Sequence, residues 1–364
     1  MKRRTLLTST ASVSVLAACG VMQSQPVSQI ATPVAGVNAS AAKPLTRIAF
    51  GSCIDQNKPQ PMWAPILADK PDLFIFGGDN VYASAQPWQQ VNLDAAYAKL
   101  ASVEGFAQLR AIVPHVAMWD DHDYGLNDGG AGFPHKQASK DTFLKFWGAT
   151  DTDPRRTHDG VYESYTYGPA GQRVQVILLD MRWNKSPWKP TDKRDAPGKE
   201  RYLPDADPNK TMLGAAQWAW LEAQLKVSAN VRLIVSGVQV LAEGHGWERW
   251  GLMPLEQQRL YGLIAKTRAN GVLFLAGDRH IGALYSDSAN TPYPFYELTS
   301  SGMTHPWADA KEAGPNRLGE LVTELHYGVV ELDWAARVVS LQLRNRNRAI
   351  VRRVDVSLAQ LQVK

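Results

Sequence analysis

Apolar and polar stretches alternate along the chain and predict strands and helices in turn up to about residue 282. Short apolar or alternating runs that end in turn-forming residues are typical of strands, whereas apolar residues three and four positions apart are typical of helices. Such runs predict strands at residues 46–53, 72–79, 113–118, 160–168, 173–180, 231–237 and 271–277. Helices are predicted between them at residues 94–109, 139–147, 213–226 and 255–270.

The pattern changes after Gly282, where strands follow one another without long helices between them. These strands are predicted at residues 295–299, 327–334, 338–344 and 350–356. Short connections favour antiparallel pairing, because parallel strands need a long crossover. The two parts together predict an α/β fold class, with two packed mixed β-sheets flanked by helices, as a single domain over residues 45–364.

The first nineteen residues have the features of an export signal. A basic start at residues 2–4 precedes a mildly apolar segment at residues 6–15 and a small-residue cleavage site, and the whole is too short to span a bilayer. The paired arginines favour the twin-arginine route. Residues 16–20 (Leu-Ala-Ala-Cys-Gly) resemble the lipobox of bacterial lipoproteins, with Cys19 as the lipidated residue. Plain secretion, with Cys19 incidental, is the alternative.

Residues 20–44 predict a flexible tether, because they are rich in serine, alanine, proline and glutamine and lack periodicity. We therefore expect the protein on the periplasmic side or at the cell surface, anchored at Cys19 or secreted. Contact with a membrane is expected only through this N-terminal anchor.

Composition and charge narrow the classes of function. The chain has 364 residues, of which 45% are hydrophobic and 20% charged, which allows a substantial core. The formal charge is +4, but residues 2–4 supply three of these charges, so the rest of the chain is close to neutral. No specific nucleic-acid binding is expected, since such surfaces are strongly basic. A monomer is expected. If Cys19 carries lipid, Cys53 has no disulfide partner.

Residues with metal-binding side chains follow four of the predicted strands. Residues 120–123 (Asp-Asp-His-Asp) come directly after the strand at 113–118. Their carboxylates repel one another unless a cation or a proton compensates, so a metal site is the first interpretation and a solvated acidic turn the alternative. The other three strand ends carry Cys53, then Asp79 with Asn80 and Tyr82, then Asp278 with His280. Four such endings predict one convergent site at a sheet edge.

The order of these motifs resembles the metallophosphoesterase (calcineurin-like) superfamily, whose members usually carry Gly-Asp, Gly-Asn-His-Asp and Gly-His-x-His. The corresponding segments here are Gly78-Asp79, Asp121-His122-Asp123 and Gly277-Asp278-Arg279-His280. The second and third of these segments depart from the usual motifs. Together with Gly51-Ser52-Cys53 and residues 296–305, they are similar to the motifs of the PhoD-type alkaline phosphatases and phosphodiesterases. The resemblance spans about residues 46–345, and its motifs are specific jointly rather than singly. It implies the αββα sandwich of that superfamily.

The resemblance also implies a ferric ion and calcium. Four side chains would hold Fe³⁺, namely Cys53, Asp79, Tyr82 and His280. Asp79 would bridge to Ca²⁺, which Asp121 and Asp278 would also bind, with Asp120 or Asn127 as further ligands. Ligand chemistry agrees, since thiolate, phenolate and imidazole suit iron, while carboxylates and amides suit calcium.

The activity implied is hydrolysis of phosphate diesters or monoesters by a metal-bridged hydroxide that attacks in line. His122 would act near the leaving group, oriented by Asp123, and Arg182 would pair with phosphate oxygens through its planar fork. The residues predicted to line the substrate pocket are Asn80, Gln239, His245 and His305. Two alternatives remain, a non-catalytic surface lipoprotein that keeps the fold as a ligand-binding module, and a metal-free carboxylic esterase.

The substrate class stays broad at this point. Phospholipid head groups, teichoic-acid-like polymers, nucleic-acid fragments and nucleotide cofactors are all small or polymeric phosphate esters that fit. Residues 183–212, rich in proline, lysine and aspartate, predict a long loop near the mouth of the site. Four tryptophans are expected at the rim of the site, where they would contact the organic part of a substrate, namely Trp183, Trp188, Trp247 and Trp250.

Overall fold

A computed structural model of the chain describes residues 43–363. The export signal, the lipobox and most of the tether predicted for residues 1–44 lie outside this part. None of the helices within residues 43–363 is both long enough and apolar enough to cross a membrane.

The described part contains fourteen strands and seven α-helices. The strands are β1 (Arg47–Gly51), β2 (Leu73–Gly77), β3 (His115–Met118), β4 (Glu163–Tyr167), β5 (Val174–Leu178), β6 (Lys189–Pro190), β7 (Tyr202–Leu203), β8 (Val231–Ser236), β9 (Val272–Ala276), β10 (Gly282–Asp287), β11 (Phe295–Ser300), β12 (His326–Asp333), β13 (Val338–Asn345) and β14 (Ile350–Ser357). The helices are α1 (Trp63–Ala68), α2 (Gln90–Ala101), α3 (Glu104–Ile112), α4 (Asp121–Tyr124), α5 (Lys136–Phe146), α6 (Gly214–Leu225) and α7 (Pro254–Lys266).

Twelve of these strands form two six-stranded mixed sheets. The first has the order β14-β13-β12-β1-β2-β3, in which β1, β2 and β3 are parallel and β12 pairs antiparallel with β1. The second has the order β10-β11-β9-β8-β5-β4, parallel in its centre, with β10 and β4 antiparallel at its edges. The predicted α/β fold with two mixed sheets and flanking helices is confirmed.

The continuous apolar runs in the central strands arise because both faces of each strand are buried. Along β2, Leu73 and Ile75 belong to the core that also contains the strands of the second sheet. The intervening Phe74 and Phe76 pack into a second apolar cluster with Trp63 of α1 and residues of the neighbouring helices. Successive side chains of a strand point to opposite faces, so one short run supplies both layers.

Two predicted segments differ from the structure. The single helix expected over residues 94–109 is divided into α2 and α3, because Val103 adopts an extended conformation with ψ of 116°. The loop at residues 183–212 contains the small hairpin β6–β7. The sequence prediction also omitted the strand β10 and the helices α1 and α4, and these two helices are too short to show a clear period.

Candidate metal centre

The loops that follow β1, β2 and β9 meet at one edge of the molecule. The Cys53 backbone N–H donates to the Gly78 carbonyl at 3.4 Å, and the Ile54 N–H donates to the Asp79 carbonyl at 2.8 Å. The approach from the second sheet is equally close at Gly277, where a Cβ atom would lie 2.8 Å from Ser52 Oγ. Only a glycine leaves room there for the two sheets to bring their ligand-type residues together.

Strained backbone is present at each of these three strand ends. Four of the predicted ligands have positive φ angles, with values of 59° for Cys53, 49° for Asp79, 65° for Asp278 and 55° for His280. Each such conformation costs a non-glycine residue about 1–3 kcal/mol and persists only where the surrounding structure imposes it. Strain of this kind clusters at functional sites, which supports treating this edge as one.

The first group of side chains, called here the thiol cluster, comprises Cys53, Asp79, Tyr82 and His280. Cys53 Sγ donates to Asp79 Oδ2 at 3.6 Å, and the Tyr82 hydroxyl donates to the same oxygen at 3.3 Å. His280 Nε2 lies 3.4 Å from the Tyr82 hydroxyl. Its Nδ1 lies 3.1 Å from the His305 carbonyl, which can only accept, so Nδ1 carries the proton and Nε2 directs its lone pair into the cluster.

The second group, called here the acidic cluster, comprises Asp120, Asp121 and Asp278. Each supplies one carboxylate oxygen within 4.8 Å of the others. Asp120 Oδ2 and Asp121 Oδ1 are buried without a hydrogen-bond partner among residues 43–363. Asp79 lies between the two clusters, since its Oδ2 faces the thiol cluster and its Oδ1 accepts the His122 backbone N–H at 3.1 Å.

Negative charge is in excess at this site. Burial raises the pKa of Asp79 and of Asp278 well above the usual range, and the charges of neighbouring carboxylates raise both further. Burial also raises the pKa of Asp120 to about 8, although Arg182 lies beside it. Buried carboxylate oxygens without partners are costly unless a cation binds them. The residues present therefore fit bound metal ions, with sulfur, phenol and imidazole donors on one side and carboxylates on the other.

Arg182 does not occupy the position predicted for a phosphate-binding residue. Its side chain is fully buried, and Nε donates to Asp120 Oδ1 at 2.6 Å. Nη1 and Nη2 donate to the two carboxylate oxygens of Glu248 at 2.8 and 2.9 Å. The interpretation as a direct phosphate contact is thus wrong for this structure, because the guanidinium is committed to holding two acidic side chains.

The loop after α4 adds an acidic residue to the site. Asn127 is exposed, and its role as a ligand stays a prediction, whereas its neighbour Asp128, together with Asp121 and Glu248, forms a further acidic group within 4.8 Å. The sequence analysis missed Asp128 and Glu248. Asp128 has a φ of 54°, but no strand-end pattern marks either residue in the sequence.

The partner of His122 is a serine. Ser84 Oγ lies 2.7 Å from His122 Nδ1, and the Tyr82 ring packs on the imidazole with centroids 4.1 Å apart. Asp123, predicted to orient this histidine, instead accepts from the Asp120 N–H at 2.6 Å and from the Asn80 amide at 2.6 Å. That prediction is wrong, because the Asp123 side chain turns inward to hold the loops after β2 and β3.

Of the four predicted pocket residues, His305 and Asn80 have different neighbours, whereas Gln239 and His245 contact each other. The His305 ring lies beside His280, with centroids 4.3 Å apart, and Asn80 Oδ1 is buried without a partner among the described residues. Gln239 and His245 are both buried and bond to each other, with His245 Nε2 3.0 Å from Gln239 Oε1. The prediction that this second pair lines the pocket is wrong, because their polar atoms are used inside the core.

Three of the four tryptophans predicted at the rim are buried, namely Trp183, Trp188 and Trp250. Trp188 donates its indole N–H to Glu248, and Trp250 donates to Ser236. Only Trp247 keeps partial exposure.

Comparison with known proteins identifies relatives of this arrangement. A family model described as PhoD-like phosphatase matches residues 48–340. No curated protein sequence matches the chain significantly. Among solved structures, the structure of PhoD superposes with a TM-score of 0.66 at 16% identity, over 87% of this chain and 69% of that chain.

Two further structures share the fold at lower similarity. The purple acid phosphatase PPD1 from yellow lupin (Lupinus luteus) seeds has a TM-score of 0.58 at 12% identity, over 87% of this chain and 54% of that chain. GAP50, the anchor in the inner membrane complex of Plasmodium, has a TM-score of 0.55 at 13% identity, over 88% of this chain and 90% of that chain. At these identities the likeness shows the fold alone.

Proposed function

The chain belongs to the PhoD-like phosphatase family, and from this premise we propose that it is a metal-dependent hydrolase of phosphate esters, diesters or monoesters. The observation that carries the proposal is the convergence of the thiol cluster and the acidic cluster on Asp79, where buried carboxylate oxygens lack partners among the described residues. Such an arrangement is costly for a protein unless it binds cations.

We propose the two metals that the family resemblance implies, and the donor types agree with them. Cys53, Asp79, Tyr82 and His280 would hold Fe³⁺, with which thiolate, phenolate and imidazole donors are compatible. Asp79 would bridge to Ca²⁺ bound by Asp120, Asp121 and Asp278, since calcium prefers carboxylate oxygens. When bound, the cations would activate a water molecule as nucleophile and withdraw charge from the phosphoryl oxygens.

His122 would act as a proton donor to the leaving group. Its Nδ1 is engaged by Ser84 and one ring face is covered by Tyr82, so the remaining nitrogen, Nε2, is the one able to donate toward a substrate oxygen. Ser84 thus acts on the reaction through His122, as a positioning residue. His305, whose ring packs against those of Tyr82 and His280, would also line the pocket.

Metal analysis of the purified protein, combined with chelation, tests this proposal. We expect bound iron and calcium, and hydrolysis of bis(4-nitrophenyl) phosphate or 4-nitrophenyl phosphate that a chelator abolishes and that the two metals restore. Protein without either metal, or with hydrolysis insensitive to chelators, would contradict the proposal. The second result would favour a metal-free esterase, which should cleave 4-nitrophenyl acetate instead.

A non-catalytic role is the second candidate. The fold resembles GAP50, which is described as an anchor, so the same scaffold can belong to a protein with a binding role. A pure binding module would keep its ligand after loss of the metals, whereas an esterase would lose turnover. Metal-free protein that still binds its partner, with no turnover in the metal-loaded form, would support this second function.

We also propose export and lipid anchoring, on the sequence of residues 1–20 alone. Cell fractionation should find the protein on the periplasmic side in the membrane fraction, and Cys19→Ala should release it in soluble form. Replacing Arg3 and Arg4 by lysine should retain the protein inside the cell. Retention of Cys19→Ala in the membrane would contradict the lipid anchor, and normal export of the lysine variant would contradict the twin-arginine route.

A further inference from the structure

Two tryptophans form an exposed aromatic corner beside the candidate metal centre. The rings of Trp247 and Trp307 meet edge to face, with centroids 5.8 Å apart and an interplanar angle of 84°. Trp307 is 40% exposed, and within residues 43–363 it is the one aromatic side chain among the large hydrophobic residues exposed to solvent. A single exposed indole is ordinary on a protein surface, so its position and rigidity decide its meaning.

The corner is joined directly to the metal-binding residues. The Trp307 backbone N–H donates to the His280 carbonyl at 2.7 Å. Two residues earlier, the His305 ring packs against His280 at 4.3 Å and against Tyr82 at 4.9 Å between centroids. A backbone hydrogen bond therefore links Trp307 directly to His280 of the thiol cluster.

The base of the corner is rigid before any ligand arrives. The guanidinium carbons of Arg201 and Arg279 lie 5.0 and 4.9 Å from the Trp247 ring centroid. Arg279 is held in turn by Glu312, with Nη2 2.7 Å from Oε2, and both side chains are almost fully buried. A side chain fixed in this way loses little conformational entropy when a ligand packs on it.

We propose that Trp247 and Trp307 form a subsite that stacks a planar aromatic group carried by the substrate. The favoured substrates are then phosphodiesters whose non-leaving alcohol bears an aryl ring or a nucleobase, with the phosphate at the metal centre and the ring on the corner. This inference rests on the proposed phosphoesterase function and names its substrate class.

The size and surroundings of the corner favour a ring over a lipid chain. Trp307 is the exposed indole of the corner and Trp247 is only partly exposed, and the charged side chains of Arg201, Arg279 and Glu312 support them. A flat ring needs a single aromatic face, on which stacking contributes about tenfold or more in binding. An acyl chain needs a longer apolar groove to bury comparable area.

Three chromogenic diesters that release the same leaving group, 4-nitrophenolate, test the subsite. They are methyl 4-nitrophenyl phosphate, bis(4-nitrophenyl) phosphate and thymidine 5′-(4-nitrophenyl phosphate). Wild-type protein should hydrolyse the aryl and nucleoside esters with kcat/KM about tenfold above the methyl ester. Trp307→Ala should remove that preference through KM, with the methyl ester changed less than twofold, and Trp307→Phe should restore most of it.

The matched control is Trp220→Ala, which removes a half-buried tryptophan that packs on Tyr162 with centroids 4.7 Å apart, away from the metal-binding residues. It should leave all three rates unchanged. Equal loss on all three esters in Trp307→Ala, or no loss on any, overturns the subsite but leaves phosphoesterase activity standing. If Trp307→Ala lowers kcat/KM for only one of the two aromatic esters, the corner binds that type of group, aryl or nucleoside. A wild type that cleaves none of the three overturns the proposed function itself.

Discussion

The two halves of the candidate metal centre bring their ligands together by different physical means. In the thiol cluster, Cys53 and His280 reach Asp79 from backbone positions with positive φ, and a backbone carbonyl orients the imidazole. In the acidic cluster, Asp120 is held by a side chain, Arg182, whose own charge is shared with Glu248. Backbone geometry thus positions the thiol cluster and also Asp278, whose φ is 65°, whereas a buried ion-pair network holds Asp120.

This difference determines how each half should respond to mutation. A backbone-positioned ligand can be exchanged for another side chain with a loss confined to its own metal. A ligand held by buried charges cannot lose its counter-charge without affecting the fold, because an uncompensated buried charge is strongly destabilising. A mutation in the thiol cluster should therefore weaken only its own metal, whereas loss of a counter-charge in the acidic cluster should also destabilise the surrounding fold.

The largest effect is expected from Asp79→Asn, because Asp79 belongs to both halves. Loss of the bridging charge should weaken both metals and lower kcat by about a thousandfold or more. Metal content and steady-state kinetics measure this. Asp151→Asn, an exposed aspartate, is the control and should match wild type. Full metal content with unimpaired turnover in Asp79→Asn would contradict the role of Asp79 as a ligand shared by the two halves.

Arg182→Met should destabilise the protein by about 3–5 kcal/mol, since it leaves the Asp120 and Glu248 carboxylates buried without their counter-charge. Chemical denaturation measures the free energy of unfolding, and calcium affinity should fall at the same time. The double variant Arg182→Met with Glu248→Gln should recover part of the stability. A stable Arg182→Met with intact calcium binding would contradict the role of the ion-pair network.

Cys53→Ser should affect the thiol cluster alone. The hydroxyl is a poorer iron ligand than a thiolate, so we expect iron affinity to fall by at least about tenfold while calcium content stays unchanged. Metal analysis after dialysis against each metal distinguishes the two. Equal loss of calcium would mean that the halves are not separable, and unchanged iron would remove Cys53 from the ligand set.

Ser84→Ala should lower kcat about tenfold with little change in KM or in metal content, because Ser84 acts only through the orientation of His122. Ser84→Thr, which keeps the hydroxyl, should restore most of the rate. The loss should be larger for esters with poor leaving groups, which depend more on His122. A uniform loss that threonine does not rescue would indicate a structural role.

The last prediction is a pH dependence of stability in the metal-free protein. Burial raises the pKa of Asp120 to about 8 in the folded state, whereas an unfolded aspartate has a pKa near 3.8. The folded state therefore binds more protons between these values, and its stability should decrease as the pH rises from about 4 to about 8. Thermal denaturation in chelator should show this decrease, and added calcium should reverse it. An increase with pH would contradict the raised pKa.

The sequence predicted the parts of the site that depend on local pattern. The apolar runs ending in Cys53, Asp79 and Asp278 indicated buried strands with ligand-type residues at their ends, and the structure brings these ends together. The runs carry this information because a strand buried on both faces must be apolar throughout, and its first polar residue marks the sheet edge. Helix α2 was extended too far because Val103 leaves the helical conformation without a glycine or a proline to mark it.

The directions in which the side chains point could not be predicted from the sequence. Asp123 and Arg182 have the residue types expected of groups that orient a histidine and bind a phosphate, yet both point into the core. Glu248 became a neighbour of the site only through folding, from a segment with no metal-binding pattern of its own, and the contact of Ser84 with His122 joins two different loops. Hydrogen-bond partners of this kind depend on distances between loops that are remote in sequence.

The sequence by itself determined the α/β fold, the strand ends that carry ligands and, through their order, the family. It could do so because hydrophobic periodicity and short motifs are local properties of the chain. Only the tertiary structure decided which side chains face the candidate metal centre, which side chains carry the opposing charge, and where an aromatic corner lies beside that centre. Those choices follow from the packing of two sheets, which brings Asp120, Arg182 and Glu248 into one buried network across long stretches of sequence.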